Sequence, residues 1–225
     1  MSKSAYSLNN ISPGDIDDVL AKIERSFNIT FSNQILKDVH TFGGLCDVVA
    51  REINLCHTES CTTQHAFYML RNALAAITGI DKCSVRPQTK LSEICPKENR
   101  LQIISAIEEE LGFKMNLLEP KRWILATFGA LLLISPIIGY FYSWQIGVAG
   151  LVCALISLKL AGKLGKEMHV KTIGELANKI SRENYLKSRR DATVNKSEIE
   201  QKVRELFAND LHLEPVVLTR TARFN

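Results

Sequence analysis

Residues 123–158 read WILATFGALLLISPIIGYFYSWQIGVAGLVCALISL, 36 positions without a charge. One bilayer span needs about 20 apolar residues, so the run is nearly long enough for two. It breaks at Tyr140, Tyr142, Ser143, Trp144 and Gln145, an amphipathic composition suited to headgroup depth. The reading is one span over Trp123–Tyr142 and a second from Gln145 to about Gly162. Pro136 is positioned to kink the first. Gly147, Gly150 and Ala154 put small residues on one face of the second, which permits close approach of the two helices. The competing reading is a helical hairpin buried in a soluble protein, but core helices rarely stay uncharged for so long.

Basic residues lie at both outer ends of the run. Lys121 and Arg122 precede it, and Lys159, Lys163 and Lys166 follow. Lys159 sits near the end of the second span, where its stem can snorkel. Lys and Arg remain on the cytoplasmic side. The chain is therefore expected to be integral to the membrane, with two spans and both termini cytoplasmic. The expected membrane-interface residues are Lys121, Arg122, Trp123, Tyr142, Trp144, Lys159 and Lys163. The opening MSKSAYSLNN lacks the apolar core of a signal peptide, so the hairpin itself is expected to direct insertion.

The rest of the chain is ordinary in composition. Of 225 residues, 46% are hydrophobic and 23% charged, which excludes wholesale disorder. A mean hydropathy near zero reflects the apolar run. A net charge of +4 is too mild to argue for nucleic acid. Six Cys at irregular spacing do not form a disulfide framework, which agrees with a reducing compartment.

Outside the run the apolar spacing is helical. Ile16, Val19, Leu20, Ile23 and Phe27 make one stripe; Phe42, Leu45, Val48, Val49 and Ile53 a second. Phe67, Leu70, Leu74 and Ile77 make a third; Leu101, Ile104, Ile107 and Leu111 a fourth. Ile199, Val203, Leu206 and Leu211 make a fifth. Each gives a helix one face to bury. Strand alternation is absent, so the expected class is all-α.

Two stretches resemble each other. IERSFNITF followed by VHTFGGLCDVVAREI is matched by IEEELGFKM and, past the apolar run, VKTIGELANKI. Thr41 and Thr172 stand where helix N-caps are wanted. The pattern resembles the acyl carrier protein family, a small four-helix bundle. FYMLRNALAAITGIDKCSVRPQTK, residues 67–90, is similar to the carrier first helix and its loop. RLQIISAIEEELGFKM is similar to the second helix, and VKTIGELANKI to the entry into the last. SEIEQKVRELFANDLHLEPVVLTRTARF, residues 197–224, looks like another first helix with its loop. It supplies what the amino-terminal stretch lacks.

The resemblance implies two acyl-carrier-like four-helix bundles plus a two-helix transmembrane hairpin. The first bundle is residues 1–56 completed by 197–225, a circular permutation. The second is 61–120 plus 167–186, interrupted by the hairpin at 121–166, with 187–196 a polar linker. That linker is expected to be solvated, the alternative being that its Lys187, Arg189 and Arg190 touch anionic headgroups. A helix swap between two chains would satisfy the same contacts as intramolecular pairing and make a homodimer.

In carriers a Ser at the start of the second helix holds phosphopantetheine. Here the equivalent positions are Pro13 and Lys97, with Ser12 one residue early. The implied role is a binding or scaffold module near lipid or acyl-chain metabolism, not an enzyme, with membrane lipids and a protein of that metabolism as partners and no cofactor. The alternative is a working membrane-tethered carrier modified at a non-standard residue, Ser12 or another. One further cluster, Cys56, His57, Cys61 and His65, carries ligand types suited to zinc, at a spacing that matches no standard finger or ribbon. No metal is assigned to it.

Overall fold

A computed structural model of the chain describes residues 11–141, 143–165, 167–189 and 193–224. Ten α-helices lie among the described residues: α1 (Pro13–Phe27), α2 (Asn33–Lys37), α3 (Phe42–Glu52), α4 (Thr62–Thr78), α5 (Leu91–Ile94), α6 (Arg100–Leu111), α7 (Arg122–Phe141), α8 (Trp144–Leu164), α9 (Ile173–Glu183) and α10 (Lys196–Asp210). Every predicted stripe falls on a helix, with Ile53 and Leu211 one residue past the ends of theirs. The two apolar helices α7 and α8 reproduce the expected spans to within two residues.

The molecule does contain strands, contrary to the strand-free expectation. They are two residues long, β1 (Cys56–His57) with β4 (Thr193–Val194) in parallel and β2 (Leu118–Glu119) with β3 (Glu167–Met168) antiparallel. A strand of two residues has no alternation to read.

The chain divides into two compact units. One comprises the residues up to Pro87 together with those from Ile173 onward; the other runs from Gln88 to Thr172. This grouping differs from the expected one. Helices α4 and α9 join the first unit, while α5 and α6 fall with the hairpin.

In the first unit α10 packs on α1, α3 and α9, and α4 packs on α9. The closing helix thus meets its amino-terminal partners within one chain. The core gathers Val19, Ile23, Phe27, Phe42, Leu45, Val203, Leu206 and Phe207, each at most 1% exposed. Phe42 and Phe207 meet edge-on at 5.6 Å, and Phe27 lies 4.8 Å from Tyr185. Burying one such ring contributes about 1.5–3 kcal/mol. Local chemistry sets the helix limits. Pro13 occupies the first turn of α1, and Asn28 ends that helix in the left-handed region at φ 47°. The Thr41 hydroxyl accepts from the Gly44 N–H at 3.1 Å, the N-cap the sequence predicts.

Within the expected solvated linker 187–196, Arg190 lies outside the described residues, and four of the described positions are not solvated. Ser188, Arg189, Val194 and Asn195 are buried, because Arg189 and β4 close over the loop ahead of α4.

In the second unit α7 and α8 lie against each other. The contact is made by small residues. A Cβ added to Gly147 would stand 2.6 Å from the Gly139 Cα, and one on Gly150 would stand 2.6 Å from the Ser135 Oγ. Ala154 is fully buried at the same seam. The Ser135 hydroxyl donates to the Gly147 carbonyl at 2.5 Å. The larger apolar side chains point outward: Leu133 is 76% exposed, and only 6% and 11% of the two spans is buried. Both helices are long and apolar enough to cross a membrane, and neither is a buried core helix.

Candidate functional site

The feet of the hairpin are held side by side. β2 and β3 pair Leu118 with Met168 and Glu119 with Glu167. Gly165 lies so close to the Glu119 carbonyl carbon that a Cβ there would approach to 2.4 Å. The carboxylates at this base have partners: Glu119 meets His169 Nε2 at 2.6 Å, and Glu167 lies 3.8 Å from the Lys97 Nζ. Lys121, Trp123, Trp144 and Lys159 are all exposed. Each 19-residue span at about 1.5 Å per residue is close to the thickness of a hydrocarbon core, roughly 30 Å. Tyr142 lies outside the described residues, as do the side chains of Arg122 and Lys163.

The predicted attachment positions are also placed. Ser12 is the N-cap residue of α1 and is exposed, and its side chain caps nothing. Its backbone carbonyl instead accepts from the Asp15 and Ile16 N–H groups at 3.0 and 3.3 Å. Pro13 follows at the first helical position. Lys97 is exposed in the turn before α6, engaged with Glu167 as described.

Around these positions the backbone builds the same joints twice. The Glu24 carboxylate accepts from the Phe31 N–H at 2.7 Å, and the Glu108 carboxylate from the Met115 N–H at 2.7 Å. Between each pair the helix ends on a left-handed residue, Asn28 in one and Gly112 in the other. In the first unit the Gly43 N–H donates to the Arg220 carbonyl at 2.9 Å, and the Gly174 N–H to the Pro87 carbonyl at 2.8 Å. A side chain at either glycine would crowd that carbonyl, to 2.7 Å and 3.0 Å. Thr41 bridges to Arg223, and the Phe224 N–H donates to His40; in the second unit Thr172 bridges to Lys90, and the Leu91 N–H donates to Lys171. Positions 87, 90 and 91 thus stand to 174, 172 and 171 as 220, 223 and 224 stand to 43, 41 and 40.

The Cys/His stretch does not converge. Cys56 and His57 are exposed on β1, and Cys61 is exposed at the N-cap of α4. The His65 Nδ1 lies 2.8 Å from the Ser188 carbonyl. Among the described residues no group of three or more His, Cys, Asp or Glu side chains is arranged to hold a metal. Burial pushes the Cys46 thiol up to about 12 and the Cys95 thiol to about 11, so neither is a nucleophile near neutral pH.

A polar cluster that sequence reading missed lies beside this stretch. The Arg189 guanidinium, 1% exposed, donates to the Ser60 carbonyl and hydroxyl at 2.9 Å each and to the Thr58 and Thr62 hydroxyls at 2.8 and 2.5 Å. Glu198 lies 3.4 Å away and also binds the Thr62 hydroxyl. The Tyr185 ring stacks under the cation at 5.7 Å, its hydroxyl donating to the Asn195 carbonyl at 3.0 Å. Burial raises the Tyr185 pKa above its ordinary value. The Lys202 ammonium donates to Ser181 and Glu205 at 3.0 and 3.1 Å. Apart from the Arg189 Nε, which is buried without a hydrogen-bond partner, these groups satisfy one another, so the cluster fixes the 58–62 loop. Arg189 is an internal clamp, neither the solvated linker residue expected nor the alternative headgroup contact. Partners separated by about 130 residues leave no local sequence signal.

No family model matches the chain, and no curated protein or solved structure matches it either. The functional reading rests on the residues above.

Proposed function

We propose that this chain is a membrane-anchored, acyl-carrier-like module without the attachment serine, acting by binding or scaffolding beside lipid or acyl-chain metabolism. The observation that carries the reading is the pair of alike joints, at Gly43–Arg220 and Gly174–Pro87, with Pro13 and Lys97 where a carrier presents its serine. In this reading α10 and its trailing loop serve as the first helix for α1, α2 and α3, which is the circular permutation. The hairpin stands between α6 and α9, where short α2 stands between α1 and α3. The repeat is then two carrier-like sets, one of them opened by a membrane anchor.

The hairpin holds the module in the bilayer with both termini in the cytoplasm and residues 142–143 on the far side. Glycosylation mapping tests that arrangement. An acceptor inserted at residues 142–143 should be modified in microsomes, and acceptors at either terminus should not.

Co-expression with a phosphopantetheinyl transferase tests the chemistry. The intact mass should stay unchanged. One observation favours a second reading, a working carrier: the Ser12 hydroxyl is exposed at the start of α1 and makes no cap hydrogen bond. A mass gain of one prosthetic arm that vanishes in Ser12→Ala would establish that reading and overturn the scaffold.

A further inference from the structure

The hairpin feet determine which end of α6 meets the membrane. Past Gly112 the chain turns back beside that helix. The Met115 N–H donates to the Glu108 carboxylate at 2.7 Å, and Met115 and Leu117 are buried before Leu118 enters β2. β2 lies against β3, with Glu119 opposite Glu167. At the other end of α6, Lys97 occupies the turn just before the helix, and its Nζ is 3.8 Å from the Glu167 carboxylate. The last turn of α6 is thus tied to Met115, and the turn that precedes the helix is tied to the hairpin feet. α6 has 12 residues, about 18 Å of helix. It points its N-terminal end at the hairpin and its C-terminal end away.

Trp123, 65% exposed, stands four positions after Glu119, at the start of α7. With its ring at the interface, β2 and β3 fall just outside the hydrocarbon, where headgroups form a layer roughly 5–8 Å deep. Lys97 keeps 65% of its side chain exposed beside Glu167. We propose that the turn at residues 95–99 lies against phospholipid headgroups, with the Lys97 ammonium among them and Lys114, past the far end of α6, in open solvent. The position that answers to the carrier serine then faces lipid, and a protein that works there must itself reach the bilayer surface. The inference rests on the membrane reading above, and the test separates the two.

The full-length protein is reconstituted in phosphatidylcholine vesicles that also contain phosphatidylethanolamine, whose headgroup carries a primary amine. A short amine-to-amine crosslinker is added, and mass spectrometry of the digest locates lipid adducts on lysines. A one-ended reagent of the same chemistry, applied in parallel, measures the reactivity of each lysine, and each adduct yield is divided by it. Lys97 and Lys121 should then carry lipid at least threefold more often than Lys114, whose side chain is 81% exposed. A smaller excess at Lys97 overturns the proposal. Adducts at Lys121 in that case leave the membrane reading intact. If Lys121 carries no lipid either and the protein fails to float with the vesicles, both readings fall.

Discussion

Helices α10 and α8 both pack against neighbours, with opposite choices of residue. α10 turns Val203, Leu206 and Phe207 inward and, Lys202 apart, leaves its charged side chains at least partly exposed. α8 turns Gly147, Gly150 and Ala154 inward and leaves Ile146, Leu155 and Ile156 outside, each about half exposed. On the membrane reading proposed above, the surroundings account for the inversion. In water, burying large apolar side chains drives assembly. In lipid that drive is absent, so close backbone approach takes its place.

Removing residues 197–225 should have the largest effect. α1 and α3 lose the helix that covers them, and the first unit should no longer melt cooperatively. Phe207→Ala is the milder version, with an expected cost of about 3–5 kcal/mol by thermal or denaturant unfolding. Unchanged melting in both variants would remove the pairing of α10 with α1 and α3.

Two positions of similar exposure should then behave differently. Leu133 is 76% exposed and Val216 is 82% exposed. Leu133→Asp should cost about 2.5–3.5 kcal/mol of insertion, read as reduced flotation with vesicles. Val216→Asp should change stability by less than about 0.5 kcal/mol. If both substitutions were silent, the outward face of α7 would be facing water.

The two joints predict a smaller and graded effect. Gly43→Ala forces a Cβ to 2.7 Å from a carbonyl oxygen and Gly174→Ala to 3.0 Å. Both should destabilise by about 1–3 kcal/mol, with Gly43→Ala the worse. A neutral outcome at Gly174 beside a costly one at Gly43 would weaken the case for a repeated joint.

The smallest expected effect concerns thiols. Near pH 8 Cys56, Cys61 and Cys83, all exposed, should alkylate while buried Cys46 and Cys95 do not. The sign of the pH dependence follows from Cys46. Its pKa is raised from 9.0 to about 12, so above pH 9 the unfolded chain releases a proton that the folded chain keeps. Stability should therefore be unaffected below pH 9 and decline as pH rises toward about 12, and Cys46→Ala should flatten that decline.

Much of this architecture was legible in the sequence because it is written in local periodicity. The five stripes and the uncharged run each announce a helix within a few turns of chain. Thr41 and the paired glycines were visible as a repeated motif, although only the close approach to Arg220 and Pro87 explains why glycine is required. The short helices α2 and α5 were missed because four or five residues carry no period. Arg189 was misread because its partners, Thr58, Ser60 and Thr62, are brought to it only by the tertiary fold. The same is true of the division between units, which depends on how distant helices meet.

The order of elements along the chain has a consequence for synthesis. α1 and α3 leave the ribosome well before the helix that covers them. Between Glu52 and Lys196 lie some 140 residues, roughly 7–28 seconds of translation at 5–20 residues per second. During that interval Phe27 and Phe42 have no α10 to meet, and on the membrane reading the two apolar helices are delivered to the bilayer before the first core can close. Nascent chains halted after α8 should accordingly hold a chaperone on their leading helices, and let it go once α10 has emerged.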